Sequence, residues 1–358
     1  MKSNFIFIFF LLINIHPSIS QTEQSSGLGN ATKPSVSEKY LKNIRQLTFG
    51  GENAEAYFSF DNQKIIFQKT DKKNNLPCDQ IFISEIENFN SKLVSTGKGR
   101  TTCAYFMPGD TEIIYSSTHL SADTCPSVPD RKKIGKYVWP VYAEYEIFIG
   151  DLSGKIKKQL TQNNFYDAEA TVSPQKNKIV FTSNRSGDLE IYTMDLDGKN
   201  VKQITHDLGY DGGPFFSPDG TKIVFRASRP KTEDEMNSYK ELLSRNLVAP
   251  TQMEIYTCNA DGSDLKQVTK MGGANWAPFF HPTGRKIIFS SNHAYPRGFP
   301  FNLFMINTDG TGMEQITSDE EFDAFPMFSP DGKKLIFSSN RNNGGNRETN
   351  LFIADWGE

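Results

Sequence analysis

From Ile44 to Trp356 short apolar runs alternate with turn residues in one order that recurs six times. Each unit reads as an apolar strand, a Pro-Asp-Gly type turn, a wholly apolar strand, a loop, an aromatic strand, an Asp-Gly turn and a strand ending in Thr. The plainest copy runs from Pro214-Phe215-Phe216-Ser217-Pro218-Asp219-Gly220 through Ile223-Val224-Phe225 and Glu254-Ile255-Tyr256 to Gln267-Val268-Thr269. The second-strand triplets begin at Ile65, Ile113, Ile179, Ile223, Ile287 and Leu335, at spacings of 48, 66, 44, 64 and 48 residues. Without the insertions in the two long copies the period is about 45, that of a four-stranded propeller blade. Continuous apolar triplets, where a half-buried strand would alternate, imply sheets covered on both faces by neighbouring sheets. Proline presets φ, aspartate bonds its own backbone and glycine accepts positive φ, so Ser329-Pro330-Asp331-Gly332 is a hairpin with a mechanism.

Ile44-Arg45-Gln46-Leu47-Thr48 is a fourth-strand sequence with no blade before it, and Leu351 to Trp356 is a third strand with no fourth after it. Pairing the two closes the array into a ring and removes the exposed edges that an open solenoid would keep. The expected fold is therefore all-β, a six-bladed β-propeller over residues 44–358, closed by pairing of the N-terminal strand with the C-terminal blade.

The repeats resemble the TolB-like propeller family through Phe216-Ser217-Pro218-Asp219-Gly220, Phe328-Ser329-Pro330-Asp331-Gly332, Phe181-Thr182-Ser183-Asn184-Arg185 and Met194-Asp195-Leu196-Asp197-Gly198. The resemblance covers Ile44 to Trp356 and implies a disc with a central channel, used by TolB to hold partner proteins in the bacterial periplasm. TolB carries a domain ahead of its propeller where this sequence has a short linker, a departure from the family pattern. Similar propellers precede peptidase domains, but here two residues follow Trp356.

Ahead of the repeats, Lys2, the apolar stretch Phe5 to Ile15, and small residues Ser18 and Ser20 read as an export signal, residues 1–20, cleaved after Ser20. The run is too short for a membrane span, and no cysteine near the cleavage point would take a lipid. Residues 21–43, polar and without periodicity, read as a linker. The expected location is periplasmic or extracellular. A formal net charge of -3, with both signs interspersed, gives no footprint for nucleic acid and no polybasic membrane patch.

Loops between strands two and three share one face, the upper face, with the connections between blades, and both insertions fall there. Aligning the inner strands places Asn53, Thr101, Asp167, Asp211, Asn275 and Asp323 at one level. Period-two alternation adds Glu55 and Glu169 to the same channel wall. One reading is a channel ring for a cation, an amine or a basic peptide end; the other is that these side chains cap local turns. The blade 2 insertion, about 118–144, interleaves Arg131, Lys132, Lys133 and Lys136 with Tyr137, Trp139 and Tyr142, either partner anchors or packing against the disc. In blade 4, Thr232 and Glu235 at capping-box spacing precede Met236, Tyr239, Leu242 and Leu243 at helical spacing, which predicts a short helix.

Four cysteines are too few for a disulfide scaffold, but two of Cys78, Cys103 and Cys125, which neighbour one another at the top of blades 1 and 2, are expected to pair, with Cys125 one of them. Cys258 reads as a buried thiol. Propellers similar to this one include metal-dependent lyases of acidic sugars, so the alternative reading is a metal-dependent lyase or hydrolase acting on a polysaccharide or other small ligand in the channel. His119 and His293 fall on opposite blades, and neither they nor His206 or His281 form a ligand pair at zinc spacing. No Gly-x-Ser-x-Gly or His-Glu-x-x-His motif occurs. The sequence thus points to a monomeric, non-catalytic scaffold without an assigned cofactor. It would recognise a protein or peptide on the upper face and channel mouth, with room for a channel-bound cation.

Overall fold

In a computed structural model the described residues are 38–357, apart from 296, 297 and 319. The export signal and most of the linker lie outside them. Six four-stranded antiparallel sheets carry the described chain, each running from an inner strand outward. The inner strands are Glu52–Phe58, Thr101–Phe106, Asp167–Val172, Asp211–Phe216, Asn275–Phe280 and Asp323–Phe328, in blades 1 to 6. Every residue of the six second-strand triplets is at most 1% exposed, because each sheet is sandwiched between two others. Burying one such side chain contributes about 1.5–3 kcal/mol.

Closure follows the expected pairing. Leu41–Gln46 lies antiparallel to Asn350–Trp356, with Arg45 opposite Ile353 and Gln46 opposite Phe352. The strand starts at Leu41, three residues ahead of the expected boundary at Ile44. A bulge between Lys42 and Arg45 resets its register, and Tyr40 then stacks on Trp356 with centroids 5.0 Å apart. Short apolar content hid this extension, since Leu41 alone is buried in Leu41–Gln46.

All six inner strands share an irregularity that alternation does not foresee. A bulge lies after the second residue of the aligned level, and the residue that follows has positive φ: Glu55, Cys103, Glu169, Gly213, Ala277 and Phe325. The extra residue turns two successive positions toward the channel and rotates the position before them into the blade. One level lower, Tyr57 of blade 1 meets Phe215 of the opposite blade 4 across the axis at 5.5 Å, with Tyr105 and Phe279 beside them. These rings plug the channel and leave a cup above.

Candidate functional site

The two insertions form one cap. Trp139–Pro140 from blade 2 pairs with Leu247–Val248 from blade 4, across the intervening blade. The expected helix forms at Glu233–Ser244 with both halves of its capping box, Thr232 and Glu235. Its Leu242 packs with Val138 of the other insertion, and Lys136 Nζ donates to Ser238 Oγ at 2.7 Å. The structure joins Cys78 to Cys125, which ties the start of the blade 2 insertion to blade 1, and leaves Cys103 free on the channel wall. Replacing both Cys78 and Cys125 by serine should lower stability by about 2–4 kcal/mol. Urea unfolding under non-reducing conditions measures this, and an unchanged midpoint would show that the bridge restrains nothing.

Beneath the cap lies a cavity of about 780 Å³. Its wall carries Tyr137, Trp139, Tyr142, Tyr145, Tyr166, Tyr210 and Trp276, with Arg100, Arg131, Lys132 and Arg347 among them. Trp139 is held on Trp276 at 5.0 Å, and Trp276 in turn donates from Nε1 to the Pro250 carbonyl at 2.8 Å. Tyr142 donates to the Ser127 carbonyl at 2.8 Å, whereas Tyr137 stays exposed under the Arg131 guanidinium, 4.3 Å from its ring centroid. Trp139 packs the loop onto the disc, and Tyr137, Trp139 and Tyr142 all line the cavity.

At the floor, Glu169 accepts from the Arg226 guanidinium, from Tyr210 at 3.0 Å, from Thr182 at 2.7 Å and from the Gly213 amide at 2.8 Å. Burial alone would raise its pKa; Arg226 outweighs that and, with the Thr182 and Gly213 bonds, holds the carboxyl below its usual range. Gly213 is required here, since its φ is +60° and an added Cβ would fall 1.9 Å from Arg226 Nη1. Glu55 on blade 1 has the opposite environment. Burial pushes it up to about 7, against a bond from the Cys103 thiol, and its Oε2 is shut off from solvent with no partner among the described residues.

The six aligned residues are not on the channel wall. Asn53, Thr101, Asp167, Asp211, Asn275 and Asp323 are 0% exposed, turned into their blades by the bulge that follows them. Asp167, Asp211 and Asp323 pair with Arg185, Arg229 and Arg341, each arginine lying two residues past its second strand. Thr101 bonds Ser117 at 2.9 Å, Asn275 accepts from Ser291 at 2.6 Å, and Asn53 donates to the Gly50 carbonyl at 3.1 Å. Neither the channel-ring nor the backbone N–H capping reading describes these six, which are held mainly by arginine and hydroxyl side chains inside their own blades, and Glu55 and Glu169 alone of the eight remain in the cup.

The same register places His119 and His293 where blades 3, 4 and 6 have Arg185, Arg229 and Arg341. His119 rests on Phe148 at 4.4 Å and His293 on Phe304 at 4.8 Å, as Arg185 rests on Phe181 and Arg341 on Phe337. Blades with an aspartate use arginine; those with Thr101 or Asn275 use histidine, which needs no buried counter-charge. Among the described residues no group of three or more His, Cys, Asp or Glu is placed to hold a metal ion.

Arg226, Tyr210 and Trp276 were not singled out from the sequence. One signal was available: Arg226 follows a triplet at the position held elsewhere by Gln68, Ser116, Thr182, Ser290 and Ser338, and is the one charged residue in that set.

The family model of the TolB beta propeller domain matches residues 125–233 and 247–347. Among solved structures, a putative TolB from Agrobacterium tumefaciens superposes with a TM-score of 0.56 at 17% identity, over 88% of this chain and 97% of that one. TolB from Acinetobacter baumannii gives 0.53 at 18% identity, over 86% and 65%. An oligogalacturonate lyase from Vibrio parahaemolyticus gives 0.53 at 15% identity, over 87% and 79%. A search of curated proteins gives no match. At these identities the structural likeness shows the fold alone.

Proposed function

The chain belongs to the TolB beta propeller domain family, and from that premise we propose that it is an exported binding scaffold whose upper-face cup takes up a segment of a protein or peptide partner. The observation that carries this reading is the cup itself: about 780 Å³, aromatic-walled, roofed by two mutually braced insertions and plugged below. That volume is within the range of ligand sites and suits a short peptide segment better than a folded domain. Preorganised walls lower the ordering cost of binding. Around the mouth, Phe49, Leu120, Val128, Phe165 and Phe299 leave apolar surface exposed on the same face, Phe49 to 78%. A protein partner would cover such residues.

Export to the periplasm or exterior rests on the leader sequence, and among the described residues no helix is long and apolar enough to cross a membrane. The test is a cup-filling variant. Ala54 lines the cavity, and Ala54→Trp should fill part of it while leaving the thermal midpoint within a few degrees of the parent. Capture from envelope and culture-medium fractions should yield a partner that Ala54→Trp loses at least about tenfold and that the lower-face variant Lys333→Glu retains. Equal capture by parent and Ala54→Trp would refute the cup as the binding site.

A further inference from the structure

A buried polar atom without a partner is uncommon in a folded protein and calls for a reason. Glu55 Oε2 is such an atom, and its side chain lines both the cup and a narrow well of about 40 Å³ beneath it. The well is lined by Tyr57, Phe215, Ala277 and Phe325 on its apolar sides and by Glu169, Arg226 and Cys103 on its polar side. Glu169 has its donors already, and Arg226, a donor without acceptor capacity, gives Nη2 to Glu169 and Tyr210 and keeps a buried Nε unpartnered among the described residues. Of the charged groups at the floor, Glu55 alone keeps acceptor capacity.

We propose that the well is a subsite for a primary ammonium group on an unbranched alkyl stem, the chemistry of a lysine side chain, carried by the partner segment and bonded by the Glu55 carboxylate, which turns its unpartnered oxygen to the ligand. This rests on the reading of the cup as the binding site. Three features select that ligand. Ionised Glu55, Glu169 and Arg226 sum to one negative charge, which a single cation cancels. The other Glu55 oxygen faces Cys103, so one acceptor is available. That suits one N–H of an ammonium and not the two-pronged grip that guanidinium prefers. The apolar sides cover methylenes, and Tyr57 presents a ring beside the charge.

Protonation is linked to occupancy. The groups that act on Glu55 from neighbouring strands are Glu169, Arg226, Asp79 and Cys103. In the empty cup its carboxyl titrates near 7, raised by burial, so an arriving ammonium displaces a proton below that pH. Affinity therefore rises with pH through about 7 and levels off above it.

The probes are N-acetyl-lysine N′-methylamide and its neutral isostere, N-acetyl-norleucine N′-methylamide, titrated by calorimetry and by the fluorescence of Trp139 and Trp276. At pH 8 the lysine compound should bind about tenfold more tightly than norleucine, with the preference shrinking at pH 5.5. Glu55→Gln should abolish the preference at both pH values without moving the thermal midpoint. Equal binding of the two probes, no binding of the lysine probe, or a preference that survives Glu55→Gln would each overturn the assignment. If the preference is absent while Ala54→Trp still loses the captured partner, the ammonium subsite fails and the cup stands; if Ala54→Trp captures normally, the cup itself fails.

Discussion

Arg226→Met should destabilise the propeller by about 3–5 kcal/mol, since it strips the counter-charge from a largely buried carboxylate. The arginine and Glu169 side chains are 8% and 11% exposed, and the guanidinium also holds Tyr210 and lies 5.4 Å from the Trp139 ring. Three effects therefore coincide: an orphaned buried charge, a lost phenol bond and a loosened cap. Pairing the substitution with Glu169→Gln removes the orphaned charge while Thr182 and Gly213 can still donate to the amide oxygen. The double variant should recover a large part of the loss in urea titrations at pH 8. If it falls by the sum of the two single losses, the groups do not interact and the ion pair is incidental.

Deleting residues 38–48 should be more damaging. The segment supplies the outermost strand of the closing blade, buries Leu41 and Leu47, stacks Tyr40 on Trp356 and pairs Glu38 with Arg341. The two buried leucines alone account for about 3–6 kcal/mol, comparable with the whole net stability of many domains. Deletion also uncovers the edge of Asn350–Trp356, a template for association between chains. The expected outcome is loss of a single cooperative thermal transition, with oligomers in light scattering. A truncated chain that melts as a monomer near the parent midpoint would mean that closure contributes little.

The architecture was legible because its determinants are local and repeated. Six apolar triplets set the blade count, Pro-Asp-Gly turns set the hairpins, and an unpaired fourth strand at one end with an unpaired third at the other implied the ring. The site was less legible because its determinants are neither. Strict alternation put Asn53 and Glu55 on one wall, but the bulge between them separates the pair, and of the six bulge positions one alone is glycine, Gly213. Glutamate, cysteine, alanine and phenylalanine at the others hide a positive φ that a second glycine would have advertised. The brace between Trp139–Pro140 and Leu247–Val248 joins segments more than a hundred residues apart and leaves no mark in either insertion. Arg226 stood out by charge at a small-residue position, yet its partner Glu169 lies on the next blade, a pairing visible after the strands are in register.

Site-specific photo-crosslinking tests the central claim most directly. With benzoylphenylalanine in place of Tyr142, inside the cup, and separately in place of the exposed Val201, just ahead of the outer strand Lys202–Gln203 and outside the cup lining, irradiation with partner-containing fractions should yield one discrete adduct from the first position and none from the second. An adduct from Val201 with none from Tyr142 would contradict the account, and would move the binding surface off the upper face.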